Sequence, residues 1–473
     1  MGNKNFIGLA YSLPIMLALW AGCSSDSSSS AEDNLSSLSS SGEVEWPAES
    51  SDAEWMESSA SSVNSALSSS ASDSTSTVVE NPSAGSSAAE SSAVESSAVK
   101  SSSSDASAHA PESSALASSS SQVPQSSSQP PEFSAGPLLS FDFYTGADIS
   151  TVQEYERNNT KFYDVDGSES DIFTILKKHG FNAIRLRTFV SPLANYGYAA
   201  KSSECGHAGD EAYGDKEHII AYAKKVKAAG MAFLLDIHYS DNWADPGKQI
   251  IPERWRKVTS SDAMADSVYA YTKDLMESLK AAGATPEMVQ IGNETRTGML
   301  WPVGELTNED PYSFCKLANA GYDAVKSVYP DATVLLHCDN AWDGSLQTWF
   351  WTLVGKGGAK YDMIGLSLYP SYWDDTLKAY PDWRPKCSST ILNIKQMHQT
   401  FNKPVMLVEF GMPESEPEKA RDALQYLLDN VSGLDWFKGI FLWEPESEKS
   451  RNGYEYGAFS NGRPTSALDP FRQ

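Results

Sequence analysis

The stretch MVQIGNE, residues 288–294, is a short apolar run that ends in a glycine and two polar residues. This pattern is typical of a buried strand that turns toward solvent. A carboxylate at such a strand end costs free energy unless a partner or a reaction uses it. A second run, PVMLVEF at residues 404–410, closes on Glu409 in the same way. Whether Glu294 and Glu409 meet depends on how the strands are arranged.

Eight strand-like runs lie between residue 140 and the C-terminus: FDFYTGADIS, AIRLRTFV, AFLLDIHYS, MVQIGNE, TVLLHCDN, MIGLSLYP, VMLVEF and IFLWEP. Amphipathic stretches that favour helices separate them, and two of these, DIFTILKKHG and KEHIIAYAKKVKAAG, end in a glycine typical of a helix C-terminus. Alternating strands and helices form a parallel sheet, and eight such units predict a closed (β/α)8 TIM barrel. An open doubly wound sheet is the alternative, which the lack of a Gly-rich phosphate loop after the first strand disfavours.

Polar and aromatic residues occupy the C-terminal ends of these strands, where a barrel of this type builds its active site. They are Asp148, Arg185, Arg187, His238, Asn293, Glu294, His337, Asp339, Tyr369, Glu409 and Trp443. Two carboxylates that face one cleft suit glycoside hydrolysis, in which one is a protonated acid and the other an ionised nucleophile. Arg185 is expected to keep Glu409 charged, and Asn293 to hydrogen-bond a substrate hydroxyl. Asp148 is a further candidate for substrate binding.

Aromatic residues in or near the same loops offer flat faces on which sugar rings stack. They are Trp243, Trp255, Trp301, Tyr369, Trp373 and Trp443. Trp243 and Trp301 are predicted substrate contacts, although some of this set is expected to cover the edge of the core instead. His238 and the pair His337/Asp339 are alternative metal ligands, because His-x-Asp on a strand puts both side chains on one face. A catalytic zinc usually needs three close protein ligands, so substrate contacts without metal or cofactor are preferred.

The first 136 residues differ from the rest in composition. Residues 23–136 are dominated by Ser, and between Ser24 and Gly136 there are 16 acidic residues against one lysine. Such a segment cannot bury enough apolar surface to fold, so a disordered acidic linker is expected, followed by a catalytic domain at residues 137–473. The net charge of −26 argues against nucleic acid as a partner. The acidity and the lack of a long apolar stripe predict a monomer.

Residues 1–22 have the pattern of a bacterial export signal, with Lys4 followed by an apolar stretch too short for a comfortable membrane span. The stretch ends in Ala21-Gly22-Cys23, which resembles a lipobox. Lipidation of Cys23 would anchor an exported protein to the bacterial cell envelope, with surface exposure or secretion both open. An ordinary signal peptide is the alternative. The remaining cysteines, Cys205, Cys315, Cys338 and Cys387, allow three disulfide pairings.

Seven segments together resemble the endo-β-1,4-galactanases of glycoside hydrolase family 53: GADIS, AIRLRTFV, LLDIHYSDNWADPGKQ, IGNETRTGMLWPVGE, LLHCDNAWD, GLSLYP and GIFLWEPE. The resemblance implies a retaining barrel enzyme that cleaves galactan or type I arabinogalactan of plant pectin. It implies that Glu294 is the acid/base and Glu409 the nucleophile. It also implies contacts around the cleaved sugar by Arg185, His238, Asn293 and Trp443, with Asp339 and Tyr369 lining the cleft.

Two other functions stay open at this point. One is another retaining barrel glycosidase, such as a mannanase or a xylanase. The other is a non-catalytic surface protein that binds glycans on a degenerate barrel, which is disfavoured because Glu294, Glu409 and Asn293 are all present.

Overall fold

The computed structural model describes residues 138–200 and 212–472. The predicted signal peptide, the predicted lipidation site at Cys23, the predicted linker at 23–136 and Cys205 lie outside these ranges. Within them, eight parallel strands form a closed barrel in which each strand pairs with the next and the last pairs with the first. The predicted (β/α)8 barrel is therefore confirmed.

The barrel strands coincide with the eight runs predicted from the sequence. They are β1 (Tyr144–Asp148), β2 (Ala183–Thr188), β3 (Ala232–Ile237), β4 (Met288–Ile291), β5 (Thr333–Cys338), β6 (Met363–Leu368), β7 (Val405–Phe410) and β8 (Phe437–Trp443). Two short antiparallel ladders lie in the loops, Gly298–Met299 with Gly304–Glu305 and Phe459–Ser460 with Arg463–Pro464.

Helices connect the strands and cover the outside of the barrel. They are α1 (Val152–Arg157), α2 (Ile172–Lys178), α3 (Lys216–Ala228), α4 (Ser261–Ala281), α5 (Tyr312–Val328), α6 (Gly344–Lys356), α7 (Arg384–Phe401), α8 (Pro417–Val431) and α9 (Lys449–Asn452). Side chains of Asp171, Asp215, Ser260 and Asp343 accept backbone N–H groups at helix N-termini. Within the described ranges, no helix combines the length and the apolar character needed to cross a membrane.

The barrel interior has an apolar floor and a polar upper layer, because inward-facing positions recur every second residue along a strand. In β3, Ala232 and Leu234 belong to the floor, and Asp236 follows as the next inward residue. Phe441 fills the floor so closely that a Cβ on Gly146 would lie 2.1 Å from its ring. The apolar floor leaves the upper half of the interior as the place where polar side chains converge.

Strand β7 breaks this alternation once. Leu366 of β6 pairs with Leu407, but the next residue, Ser367, pairs with Glu409, so one residue of β7 is skipped. The pairing of β7 with β8 shows the same irregularity, because β7 has one extra residue between Leu407 and Phe410. Such a β-bulge re-aims a side chain, and here Val408 belongs to the apolar floor while Glu409 also reaches the polar layer.

The cysteines in the described ranges do not form disulfides. Cys315, Cys338 and Cys387 are free and buried. Burial raises the pKa of the Cys315 and Cys387 thiols to about 12, so these groups stay protonated and pack as small apolar side chains.

Candidate active site

Glu294 lies just beyond β4 in a tight turn. Gly292 has φ of +77°, and a Cβ there would lie 2.5 Å from the Thr295 side chain, so the turn requires glycine. Glu294 itself adopts the left-handed conformation, with φ of 44°. A non-glycine residue in this region is uncommon and marks a position that the surroundings hold in place. The turn explains why a strand-end glutamate points back over the barrel rather than into solvent.

Neutral groups hold Glu294. Its backbone N–H donates to His337 Nδ1 over 3.2 Å, and the Ser367 hydroxyl donates to Glu294 Oε1 over 2.7 Å. Nε2 of His337 lies 2.7 Å from the Ser367 oxygen. Because Nδ1 accepts, Nε2 carries the imidazole proton and donates to Ser367, which in turn donates to the carboxyl group. Oε1 is thus an acceptor, and a proton on Glu294 resides on Oε2.

Glu409 is held by a cation and a phenol. Arg185 Nη2 donates to Glu409 Oε1 over 2.9 Å, and the Tyr369 hydroxyl donates to Oε2 over 3.1 Å. Each carboxylate oxygen therefore receives one hydrogen bond, which fixes the orientation of the group.

Arg185 is the centre of a buried charge network. The side chain is 0% exposed, and its guanidinium donates to Asp148 Oδ2 over 2.8 Å and to Asp236 Oδ2 over 2.9 Å. It also donates to Asn293 Oδ1 over 3.1 Å. The neighbouring negative charges raise the pKa of Arg185 despite its burial, so it stays charged. Arg185 is thus shared among three carboxylates, and one of them, Asp148, also pairs with Arg187.

The pKa values of the two glutamates rise to different extents. Burial raises the pKa of Glu294 well above its ordinary value, and the negative charges of Glu409 and Asp339 raise it further. Burial raises the pKa of Glu409 to about 7, although Arg185 lowers it. Since the two carboxyl groups interact, one proton bound to the pair resides on Glu294 and leaves Glu409 ionised. This distribution matches the one expected of an acid and a nucleophile.

A wall of aromatic rings lies next to the Arg185 network. The Arg187 guanidinium stacks over Trp243 at 4.4 Å and over Trp443 at 5.3 Å from the ring centres. Arg187 is held from behind by ion pairs with Asp148 and Glu444. Both tryptophans keep part of their surface exposed. They are therefore oriented by a buried cation while still able to contact a ligand.

Asp339 and Tyr369 lie on the opposite, β5–β6 side of the site. Asp339 Oδ2 is 3.3 Å from Arg296 Nη1, and burial raises the pKa of this carboxyl to about 6. The Tyr369 ring stacks on Tyr372, with centres 5.5 Å apart. Tyr456 packs against both rings edge-on. This cluster extends the cleft away from the Arg185 network.

Three of the predicted substrate-binding residues form hydrogen bonds with protein groups. His238 is buried, with Nε2 3.1 Å from Asp236 Oδ2 and Nδ1 accepting the Ala244 N–H over 3.0 Å. Both ring nitrogens are therefore engaged by protein groups. The ring also packs edge-on against Trp243. Trp301 donates its indole N–H to the Thr297 carbonyl over 2.7 Å. Asn293 donates to the Ala244 carbonyl.

The structure also shows site residues that the sequence did not single out. Asp236, Gln290 and Ser367 all hydrogen-bond Arg185, His337 or Glu294. Successive side chains of a strand point to opposite faces. Asp236 and Gln290 could therefore have been predicted to face the barrel interior, because each is two residues from another inward-facing residue. Ser367 is an ordinary strand residue by type, and its role depends on the pairing of β6 with the shifted β7. Among the described residues, no group of three metal-ligating side chains is found.

Comparison with known proteins gives matches over the whole barrel. The model of glycosyl hydrolase family 53 matches residues 144–468. The arabinogalactan endo-β-1,4-galactanase of Thermothelomyces thermophilus is 31% identical, over 64% of this chain and 89% of that protein. A probable arabinogalactan endo-β-1,4-galactanase A of Neosartorya fischeri is also 31% identical, over 64% and 83%.

Solved structures agree with these sequence matches. A fungal β-1,4-galactanase is 29% identical with a TM-score of 0.59, and the match covers 70% of this chain and 99% of that one. The family 53 catalytic domain of Ignisphaera aggregans is 26% identical with a TM-score of 0.60, covering 71% and 97%.

Proposed function

This chain belongs to glycosyl hydrolase family 53 and is a glycoside hydrolase, and we propose that it cleaves β-1,4-galactosidic bonds of galactan as a retaining, endo-acting enzyme. The observation that carries the proposal is the pair of glutamates in one barrel interior, one held by neutral donors and the other by a buried arginine. The names of the galactanase relatives support galactan, or the galactan part of type I arabinogalactan in pectin, as the substrate.

In the proposed reaction, Glu409 attacks the anomeric carbon while Glu294 Oε2 gives its proton to the leaving glycosidic oxygen. The bond to the leaving sugar breaks, and a covalent glycosyl-enzyme forms on Glu409. Glu294, now ionised, takes a proton from water, which attacks the anomeric carbon and releases Glu409. Retention of this kind requires carboxyl groups about 5–5.5 Å apart, against about 6.5–9.5 Å for inversion.

The surrounding residues supply orientation and charge. Arg185 and Tyr369 hold the two oxygens of Glu409, so one lone pair stays directed at the substrate. We infer that Trp243 and Trp443 stack on the sugar at the cleavage point and that Asn293 lies within reach of its hydroxyls. Asp148, which is 0% exposed, acts instead by holding Arg185 and Arg187 in place. Trp301, His238 and Asp339 remain candidates for further contacts or for support of those that touch the sugar.

The direct test is release of reducing sugar from potato galactan, with β-mannan and xylan as parallel substrates. We expect turnover of galactan alone, with a mixture of oligosaccharides early in the reaction because an endo-acting enzyme cuts inside the chain. Turnover of mannan or xylan in place of galactan would assign a different retaining glycosidase. Binding of galactan without cleavage of any polymer would assign a glycan-binding protein.

We also propose that the enzyme is exported and held at the cell envelope by lipid on Cys23, acting as a monomer. Support comes from Ala21-Gly22-Cys23 after an apolar stretch that begins behind Lys4. A single acyl chain binds membranes only marginally, whereas several chains on one cysteine anchor stably. Cys23→Ala should move the protein from the membrane to the soluble fraction, with Ser29→Ala as the control. Membrane association of Cys23→Ala would rule out this anchor.

A further inference from the structure

A lysine lies between two aromatic rings beside the catalytic glutamates. Lys386 is in the first turn of α7, and its ammonium is 4.9 Å from the centre of the Trp342 ring and 5.8 Å from that of Tyr372. All three side chains are partly exposed. Trp342 follows β5, Tyr372 follows β6, and α7 begins after that second loop, so the group sits at the same end of the barrel as Glu294.

Lys386 has no counter-charge in the part of the chain that the structure describes. No carboxylate there lies within ion-pair distance of its ammonium, and burial lowers its pKa without an opposing negative charge. Lys360 differs from Lys386 in this respect, because its ammonium forms an ion pair with Asp323 on the outside of the barrel. An ammonium group held over aromatic faces gains some stabilisation, but these rings do not neutralise its charge.

The cluster connects to the reacting groups through one ring. Tyr372 stacks on Tyr369, whose hydroxyl donates to Glu409. Burial raises the pKa of Tyr372 well above its ordinary value, and the charges of Glu294 and Glu409 raise it further. Two aromatic rings, Tyr372 and Tyr369, therefore separate Lys386 from Glu409.

The position also defines which part of the substrate it faces. Trp342 comes three residues after Asp339, whose charge acts on Glu294. Glu294 protonates the leaving oxygen in the proposed reaction, so the leaving part of the chain lies on this side. The Arg185 network and Trp443 lie on the other side, around the sugar that becomes bonded to Glu409.

We propose that Trp342, Tyr372 and Lys386 form a subsite for a leaving-group sugar that carries a carboxylate, such as a uronic acid residue. The inference rests on the proposed galactanase function. A ring face of Trp342 or Tyr372 contacts the apolar face of the sugar, and Lys386 pairs with the carboxylate. A neutral sugar offers only hydroxyl oxygens, which leave the ammonium charge uncompensated, so the acidic sugar binds more tightly at this position.

The experiment compares β-1,4-linked galactose oligosaccharides of increasing length, prepared in two forms. In the oxidised form the sugar at the reducing end is a methyl glycoside of galacturonic acid, with a closed ring and a C6 carboxylate, and in the reduced form it is the uncharged methyl galactoside. The wild-type enzyme should cleave the oxidised chains with kcat/KM about fivefold higher than the reduced chains at the length that places the carboxylate at Lys386, with a matching shift in the bond cut. The preference should decrease at high salt.

Three variants test whether Lys386 causes the preference. Lys386→Met should abolish the ratio between the oxidised and the reduced chains, whereas Lys386→Arg should preserve part of it. Lys395→Met removes the same charge from α7, about 13 Å further along the helix, and should leave the ratio unchanged. Thermal melts of all three establish that each variant is folded.

The outcomes separate the subsite from the proposed function. If wild-type enzyme cleaves neither series, the galactanase function is wrong and the subsite is rejected with it. If the reduced chains are cleaved and the oxidised chains gain no preference at any length, the function stands and the acidic subsite is rejected. Persistence of the preference in Lys386→Met would likewise reject the subsite, because another group would then be the recognising cation.

Discussion

Around Glu409 the barrel interior is lined by formal charges, whereas the direct hydrogen bonds to Glu294 come from neutral groups. Arg185 joins Glu409 to Asp148 and Asp236 on the β1–β3 side. Ser367 and the neutral imidazole of His337 hold Glu294 on the β5–β6 side. In the proposed mechanism these neighbours give two side chains of identical chemistry opposite tasks, and the cation is the main difference between their surroundings.

The largest expected effect is loss of the carboxylate on the charged side. Glu409→Ala should lower kcat on galactan by about 10⁵-fold or more, because no covalent intermediate can form. Added azide should restore turnover of an activated aryl galactoside and give a glycosyl azide of inverted configuration. Asp422→Ala, which removes an exposed carboxylate after the same strand, serves as the control. Substantial activity of Glu409→Ala on galactan would remove the assignment of the nucleophile.

Loss of the acid on the neutral side should depend on the leaving group. Glu294→Ala should lower kcat on galactan by about 10²–10⁴-fold, the usual contribution of a general acid. With a good aryl leaving group, which needs little protonation, formation of the glycosyl-enzyme should be nearly unaffected and only its hydrolysis slowed. Burst kinetics with the aryl substrate measure this difference. An equal loss of the first step on both substrates would mean that Glu294 does not act as the acid.

Removal of the shared cation should damage the fold as well as the reaction. Arg185→Met leaves Asp236 and Glu409 in the interior without their shared cation, and Asp148 with only Arg187, which should cost about 3–5 kcal/mol in the free energy of unfolding. Urea titration at neutral pH measures the change. The loss should be smaller at acidic pH, since protonation of the carboxylates relieves their repulsion. Arg384→Met, which removes an exposed pair with Asp382 and a contact with the Trp383 ring, should cost about 1 kcal/mol or less. Equal effects of the two variants would contradict the role of Arg185.

The smallest effect should appear in the pH profile of kcat/KM. Activity should fall as pH drops below about 7 on the acid side, because Glu409 must be ionised and its pKa is raised to about 7. It should fall on the basic side as Glu294 loses its proton. The Ser367 hydrogen bond lowers the pKa of Glu294. Ser367→Ala should therefore move the basic limb to higher pH, with kcat changed by about fivefold at most.

Ser388→Ala, which removes a hydroxyl that binds Tyr426 between α7 and α8, away from Glu294, is the control for this profile. Movement of the basic limb to lower pH in Ser367→Ala, or no movement, would show that the hydroxyl does not stabilise ionised Glu294.

Much of this architecture is encoded locally and is visible in the sequence. Eight apolar runs separated by amphipathic segments predict the barrel, and Gly180 and Gly230 stand at positive φ where two helices were expected to end. The strand ends also predict which residues converge, Glu294 and Arg185 among them. What the sequence did not reveal depends on relationships between strands. The partners of Arg185 are contributed by four different strands, and the hydrogen bond from Ser367 to Glu294 requires the register of β6 to be known.

The extra residue in β7 has a consequence for anyone who would transplant this site. Copying the side chains onto a barrel with regular strands would send the nucleophile to the outer face, under the helices, because Val408 would occupy the inward position in its place. The backbone irregularity must therefore be carried over together with the glutamate. Conversely, deletion of Val408 alone would restore a regular strand and keep Glu409 inward, but the apolar floor would lose a side chain. The extra residue therefore lets β7 contribute both an apolar side chain to the floor and a carboxylate to the polar layer above it.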